Sequence, residues 1–216
     1  MHCVVTAGPT YESLDNVRRL TNFSTGRLGT ELANFLNARG HQVTLLIGEQ
    51  ATYPGPRQAQ RVETFTTTKD LQDHLRAVSS QPVDVVFHAA AVSDFTFGKI
   101  WTRSSDGQLT EIKAGKISTR QGNLLAELVP TPKVILGLRK CFPKARLVGW
   151  KYEVDGDRAA VIRLAERQLA ESLTDACVAN GPAYGKGFAL VRKNSLPLHL
   201  PDSPSLFEAL EKLIRE

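Results

Sequence analysis

The sequence has only three cysteines, Cys3, Cys141 and Cys177, and none of them forms a CxxC pair. That excludes a zinc ribbon and a disulfide framework. Cys3 and Cys177 lie in apolar runs, which marks them as small buried hydrophobes in a reducing compartment. No apolar run approaches the roughly 20 residues that cross a bilayer. Strand-like residues begin directly after Met1, which predicts no signal peptide and a cytoplasmic protein. No run of five basic residues occurs, and no aromatic stripe alternates with basic ones. The net charge of +5 therefore suits acidic small ligands and is too mild for nucleic acid. Neither nucleic acid nor a membrane is expected as a partner. The five histidines lack metal-ligand spacing. No nucleophile elbow, Ser/His/Asp order or paired-carboxylate motif stands out.

What remains is ordinary globular composition, 42% apolar and 23% charged over 216 residues. That is enough chain for one domain, 1–216, with its own core. Apolar runs at 2–6, 42–48, 62–66, 83–92, 146–152 and 175–179 read as strands. The run at 83–92 is nearly continuous, as a strand buried on both faces requires. Helical periodicity appears at 26–39, with Gly40 as its stop, and at 68–78, with Thr68 as its cap. It recurs at 132–140, capped by Thr131 with proline first, at 157–172 and at 205–215. Segments 188–191 and 196–200 read as a terminal hairpin. Segment 96–122 is polar and glycine-containing, and carries Lys99, Arg103, Lys113, Lys116 and Arg120. It reads as a flap or dimerisation segment. The expected fold is α/β and Rossmann-like: a mostly parallel sheet with helices on both faces, a flap and a C-terminal β-hairpin.

In such sheets ligands bind beyond the carboxyl ends of the strands. Thr6-Ala7-Gly8 closes the first strand; the glycine lets backbone approach a ligand, or marks a plain turn. Asn22-Phe23-Ser24-Thr25-Gly26 opens a helix, whose first amides favour an anion. Ser24 and Thr25 suit a cap and phosphate donors, with Arg27 adding charge. Ala91 and Asp94 follow the central strand. Asp94 suits a metal–phosphate complex, a nucleoside hydroxyl, or a turn. His88, inside that apolar run, reads as a satisfied core residue. Asn180-Gly181 ends a late strand in a tight turn.

A dinucleotide oxidoreductase is one alternative, with Glu49 after the second strand placed to grip a ribose. Against it, no GxGxxG follows the first strand, and no tyrosine has a lysine four residues on.

Six segments in order resemble the phosphopantothenoylcysteine synthetase family: TAGPTYESLDNVRRLTNFSTGRLG (6–29), GHQVTLLIG (40–48), DVVFHAAAVSDF (84–95), ELVPTPKVI (127–135), LVGWKYE (147–153) and VAN (178–180). The resemblance implies a ligase that activates 4′-phosphopantothenate with CTP or ATP and magnesium and then joins it to cysteine. It implies that Gly8, Ser24, Thr25 and Gly26 cradle the triphosphate, and that Asn22 handles the acyl intermediate. Lys116 would assist the chemistry. Ala91, Asp94, Phe95 and Trp150 would hold the nucleoside, Asp94 also the metal, and Arg18 the substrate phosphate. A homodimer is implied too. Three segments depart from the family pattern. Lys116-Ile117-Ser118-Thr119 stands for a lysine-rich flap run, Ala179-Asn180-Gly181 for Ala-Asn-Asp, and Trp150-Lys151-Tyr152-Glu153 for a strand of smaller residues. A divergent nucleotide-binding relative with another activity is the second alternative.

Overall fold

In the computed structural model, which describes residues 1–118 and 122–215, the apolar runs become the strands of one eight-stranded sheet. The first unit is β1 (His2–Ala7), a short antiparallel pair β2 (Tyr11–Ser13) and β3 (Arg19–Thr21), then α1 (Arg27–Ala38) and β4 (Gln42–Gly48). β5 (Arg61–Phe65), α2 (Thr68–Val78) and β6 (Val85–His88) follow. Next come β7 (Phe95–Arg103), β8 (Leu109–Glu111) and β9 (Asn123–Pro130), which form a separate three-stranded antiparallel sheet. The main sheet resumes with α3 (Val134–Cys141), β10 (Arg146–Tyr152), α4 (Arg158–Ser172) and β11 (Ala176–Asn180). It ends with β12 (Phe188–Arg192), β13 (Leu198–Leu200) and α5 (Ser203–Arg215).

The strand order is β13-β12-β11-β10-β6-β1-β4-β5. Pairing is parallel from β5 to β11 and antiparallel for β12 and β13. Counting only the parallel strands in chain order, the sequence across the sheet is 3-2-1-4-5-6, the doubly wound arrangement with a switch point between β1 and β6. Alternation along β1 divides the core. Cys3, Val5 and Ala7 pack under α1 and α5, and Val4 packs under α2 and α3. Both faces of β1, β4 and β6 are buried, which explains their nearly continuous apolar sequence.

Several boundaries differ from the sequence expectation. The run at 83–92 is strand only over Val85–His88, because Ala89–Ala91 leave the ladder to meet the β1 turn; Ala91 N donates to Gly8 O at 2.9 Å. Thr67, not Thr68, caps α2 and accepts from Asp70 N at 3.2 Å. Thr68 N instead donates to the buried Glu12 carboxylate at 3.0 Å. Thr131 does not cap α3. Its hydroxyl donates to Ser93 O, and the helix begins at Val134 after Lys133, which makes no side-chain cap bond. The flap expected at 96–122 runs on to Pro130, because β9 pairs with the whole length of β7. Gly40 does stop α1: at φ +80° its N–H bonds Asn37 O, while His41 N bonds Leu36 O.

The hairpin β2–β3 is docked on the ends of β4 and β5. Tyr11 N donates to Thr66 O at 3.0 Å, and a Cβ on Gly48 would lie 2.2 Å from Pro9 O. Gly48→Ala is therefore expected to lose about 2 kcal/mol or more through backbone overpacking. Gly137→Ala, with open space around the new methyl, is expected to be neutral or to gain up to about 1 kcal/mol from helix propensity. Urea denaturation of both variants checks the contrast.

Candidate functional site

The chain leaves β1 and β6 toward helices on opposite faces, so a crevice opens beyond their carboxyl ends. Pro9 and Ala91 still form a parallel bridge at its base. An open cleft of about 890 Å³ occupies this position.

Its floor is backbone. Gly8 and Gly26 both have positive φ, +75° and +78°. A Cβ on Gly26 would meet Gly8 N and Cα at 3.3 Å, and one on Gly29 would meet the Ala7 Cβ at 2.6 Å. Only glycines let the start of α1 seat this closely on the β1 turn. Gly26 is the N-cap, and no side chain caps α1, contrary to the role expected for Ser24 and Thr25. The Thr25 hydroxyl accepts from Arg27 N at 3.3 Å and its carbonyl from Tyr53 N at 3.0 Å. The first turn of α1 holds no acidic residue. The amides of Leu28 and Gly29, which have no intrahelical acceptor, thus open on the cleft with the positive end of the helix dipole. The Arg27 charge is matched by Glu31 at 2.7 Å, which also accepts from Tyr53 OH at 3.0 Å.

Asn22 Nδ2 donates to Ala91 O at 3.1 Å, which fixes the orientation of the amide at the cleft. Behind it, Ser93 N donates to Thr10 Oγ1 at 2.8 Å, while Thr131 N donates to Asp94 O at 2.9 Å. These bonds tie the β1, β6 and β9 ends together. At the rim, the Asp94 carboxylate is paired with Lys133 Nζ. Across the cleft, Trp150 Nε1 and Asn180 Oδ1 are buried without protein partners among the described residues. Buried polar atoms left this way mark places for a ligand or water.

His88 also lines the cleft, although the sequence suggests only a core role. It is 6% exposed, and its Nδ1 lies 2.9 Å from Thr6 Oγ1. Burial pushes its pKa down to about 4, so the ring is neutral.

Of the residues singled out in sequence, Gly8, Asn22, Ser24, Thr25, Gly26, Ala91, Asp94 and Trp150 line this one cleft. Phe95, Arg18, Lys116 and Glu49 do not. Phe95 starts β7 outside it, 44% exposed. Arg18 bonds Ile117 O and pairs with Asp15 at 3.3 Å, clasping the segment that carries Lys116 against the β2–β3 hairpin. Arg120 lies outside the described residues. Sequence reasoning missed Lys133, Gln168 and Phe188 as cleft residues; the PTPK turn was the one local signal, for Lys133. Glu49, the ribose-gripping candidate, sits outside the cleft and pairs with Arg19 at 3.3 Å. The docked hairpin covers that half of the crevice. Among the described residues no three His, Cys, Asp or Glu side chains gather to hold a metal, and no helix is long and apolar enough to cross a membrane.

Strand order, switch-point cleft and a glycine-seated helix start define a doubly wound α/β protein of the Rossmann class. Residues 1–212 match the family of the DNA/pantothenate metabolism flavoprotein C-terminal domain, and the chain belongs to that family. It is 34% identical over 177 residues to the coenzyme A biosynthesis bifunctional protein CoaBC of Thermococcus kodakarensis, covering 82% of this chain and 40% of that protein. Against the Bacillus subtilis protein of the same name it is 30% identical over 187 residues, covering 85% and 42%. The chain thus spans less than half of these curated relatives. The crystal structure of the DNA/pantothenate metabolism flavoprotein from Streptococcus pneumoniae superposes with a TM-score of 0.83 at 28% identity, covering 100% of this chain and 98% of that one.

The neutral burial of His88 sets a pH dependence. Unfolded histidine takes a proton near 6.5, whereas the folded ring resists until about 4. Between these values the unfolded state binds more protons, so stability falls as pH falls. The expected loss is up to about 3 kcal/mol across that window. Urea titrations from pH 7 to pH 4 should show it in the wild type and lack this share of it in His88→Leu.

Proposed function

We propose that this chain ligates 4′-phosphopantothenate to cysteine through an acyl-nucleotidyl intermediate, the step that the coenzyme A biosynthesis names of its relatives suggest. The observation that carries the reading is the meeting of the uncapped α1 start, the Gly8 turn and the Asn22 amide at one switch-point cleft. In this reading Gly8, Ser24, Thr25 and Gly26 take the triphosphate of CTP or ATP. Ala91, Asp94 and Trp150 border the nucleoside, with Trp150 Nε1 and Asn180 Oδ1 as its donor and acceptor. A substrate carboxylate oxygen attacks the α-phosphorus and releases pyrophosphate. The cysteine amine then attacks the acyl carbon, releases nucleoside monophosphate and loses a proton. In this reading Asn22 Oδ1 accepts from that amine.

Magnesium finds no protein-built cage here. Asp94 is engaged by Lys133, and among the described residues no three His, Cys, Asp or Glu side chains gather around a metal position. Phosphate oxygens are the ligands left for such an ion. Arg18 and Lys116 reach a cleft in this reading only across a homodimer. The exposed Leu125 and Val129, which share one face of β9, support such a contact with a second copy.

Purified protein given CTP or ATP, magnesium, 4′-phosphopantothenate and cysteine is expected to release pyrophosphate in a substrate-dependent way. No release with either nucleotide would overturn the reading. Asn22→Asp replaces the donor to Ala91 O by a carboxylate facing a carbonyl. Product formation should fall about 100-fold while acyl-nucleotide accumulates; unchanged turnover removes Asn22 from the mechanism.

A further inference from the structure

The cleft has a second wing on the α2/α3 face of the sheet, and its inner wall is built around His88. On β10 the residue paired with His88 is Gly149, on the same face. A Cβ there would strike Gln168 Nε2 at 2.6 Å and Ile135 Cδ1 at 2.8 Å. The missing side chain lets α3 and α4 close over the sheet and shapes a recess lined by His88, Ala90, Val92, Ile135 and Gln168. His88 is the buried titratable side chain in that wall.

Its tautomer follows from its neighbours. Thr6 Oγ1 accepts the Ala90 N–H at 3.1 Å and lies 2.9 Å from His88 Nδ1. A hydroxyl has one proton, and among the described residues Nδ1 is the acceptor within its reach. Thr6 therefore donates to Nδ1, and the ring proton resides on Nε2. That far edge of the ring has no protein partner among the described residues. That edge opens on the cleft, so a ligand group that displaces solvent from it must accept its proton or leave the donor unpaired.

We propose that His88 is a specificity-determining residue whose imidazole donates its Nε2 proton to an oxygen acceptor of the ligand that fills the recess beside Gly149. A ligand that places an N–H or a methyl group there leaves the donor unpaired and is rejected. The inference rests on the ligase reading for which ligands supply the oxygen: the nucleotide or the carboxylic co-substrate.

Titration calorimetry without turnover separates the sources. Wild type, His88→Leu and His88→Gln are titrated with CTP, with ATP and with 4′-phosphopantothenate in turn. His88→Leu is expected to weaken one ligand about tenfold, the effect of one protein–ligand hydrogen bond lost. His88→Gln, whose amide still donates, is expected to restore most of it. Weakened nucleotide binding assigns the oxygen to the nucleotide, and weakened phosphopantothenate binding assigns it to the co-substrate. Equal affinities in wild type and His88→Leu overturn the inference. Should the leucine variant fail to fold, long-range 15N–1H spectra of the wild type decide. An Nε2–H tautomer whose Hε2 shift moves at ligand saturation supports the donor role; an Nδ1–H tautomer, or an unmoved shift, overturns it. Wild-type protein that binds none of the three ligands overturns the ligase reading, whereas binding indifferent to His88 overturns this inference alone.

Discussion

Everything at the switch point depends on one steric condition, backbone seated against backbone without a side chain between. Gly26 lies on Gly8, Gly29 on Ala7, and Gly48 on Pro9. These approaches pull the α1 N-terminus down to the end of β1, so its unpaired amides point into the crevice instead of into bulk solvent. They also hold the β2–β3 hairpin over β4 and β5, which closes one half of the crevice and leaves the other open. A methyl at Gly26 or Gly29 would lift the helix start away from the sheet, and one at Gly48 would push Pro9 off the end of β4.

Much of the architecture is legible in the chain. Strands buried on both faces announce themselves by apolar runs, and the Gly40 stop follows from its left-handed conformation. The parts that escape sequence reasoning have local physical reasons. Tyr11–Ser13 and Arg19–Thr21 are three-residue polar strands that gain order from tertiary bonds to Thr66 and Thr68, not from any hydrophobic pattern. Thr67 and Thr68 are adjacent and chemically equal as caps; only the Glu12 carboxylate at Thr68 N separates them. Thr131 looks like a cap, but its hydroxyl is taken by Ser93 O.

The glycine fingerprint is hidden for a similar reason. Gly8 supplies the turn and Gly26-x-x-Gly29 the helix start, but residues 9–25 lie between them in sequence. In space they form one surface. The cleft residues nearest this insertion were readable because they carry unusual small or amide side chains. His88 was not, because a lone histidine within an apolar strand looks like any core residue until its bond to Thr6 and its place in the cleft wall are seen together. The pairing of Glu49 with Arg19 likewise turns a plausible ribose ligand into a clamp for the inserted hairpin.

The central claim, that the α1 amides gather phosphate, has a direct readout. Inorganic tripolyphosphate is titrated into 15N-labelled protein while backbone amide resonances are followed. The account predicts saturable shifts, largest at Leu28, Gly29 and Gly8, and small at the amides of α5. Shifts that are absent from the α1 start, or centred instead on the Arg18 and Lys116 segment, would contradict it.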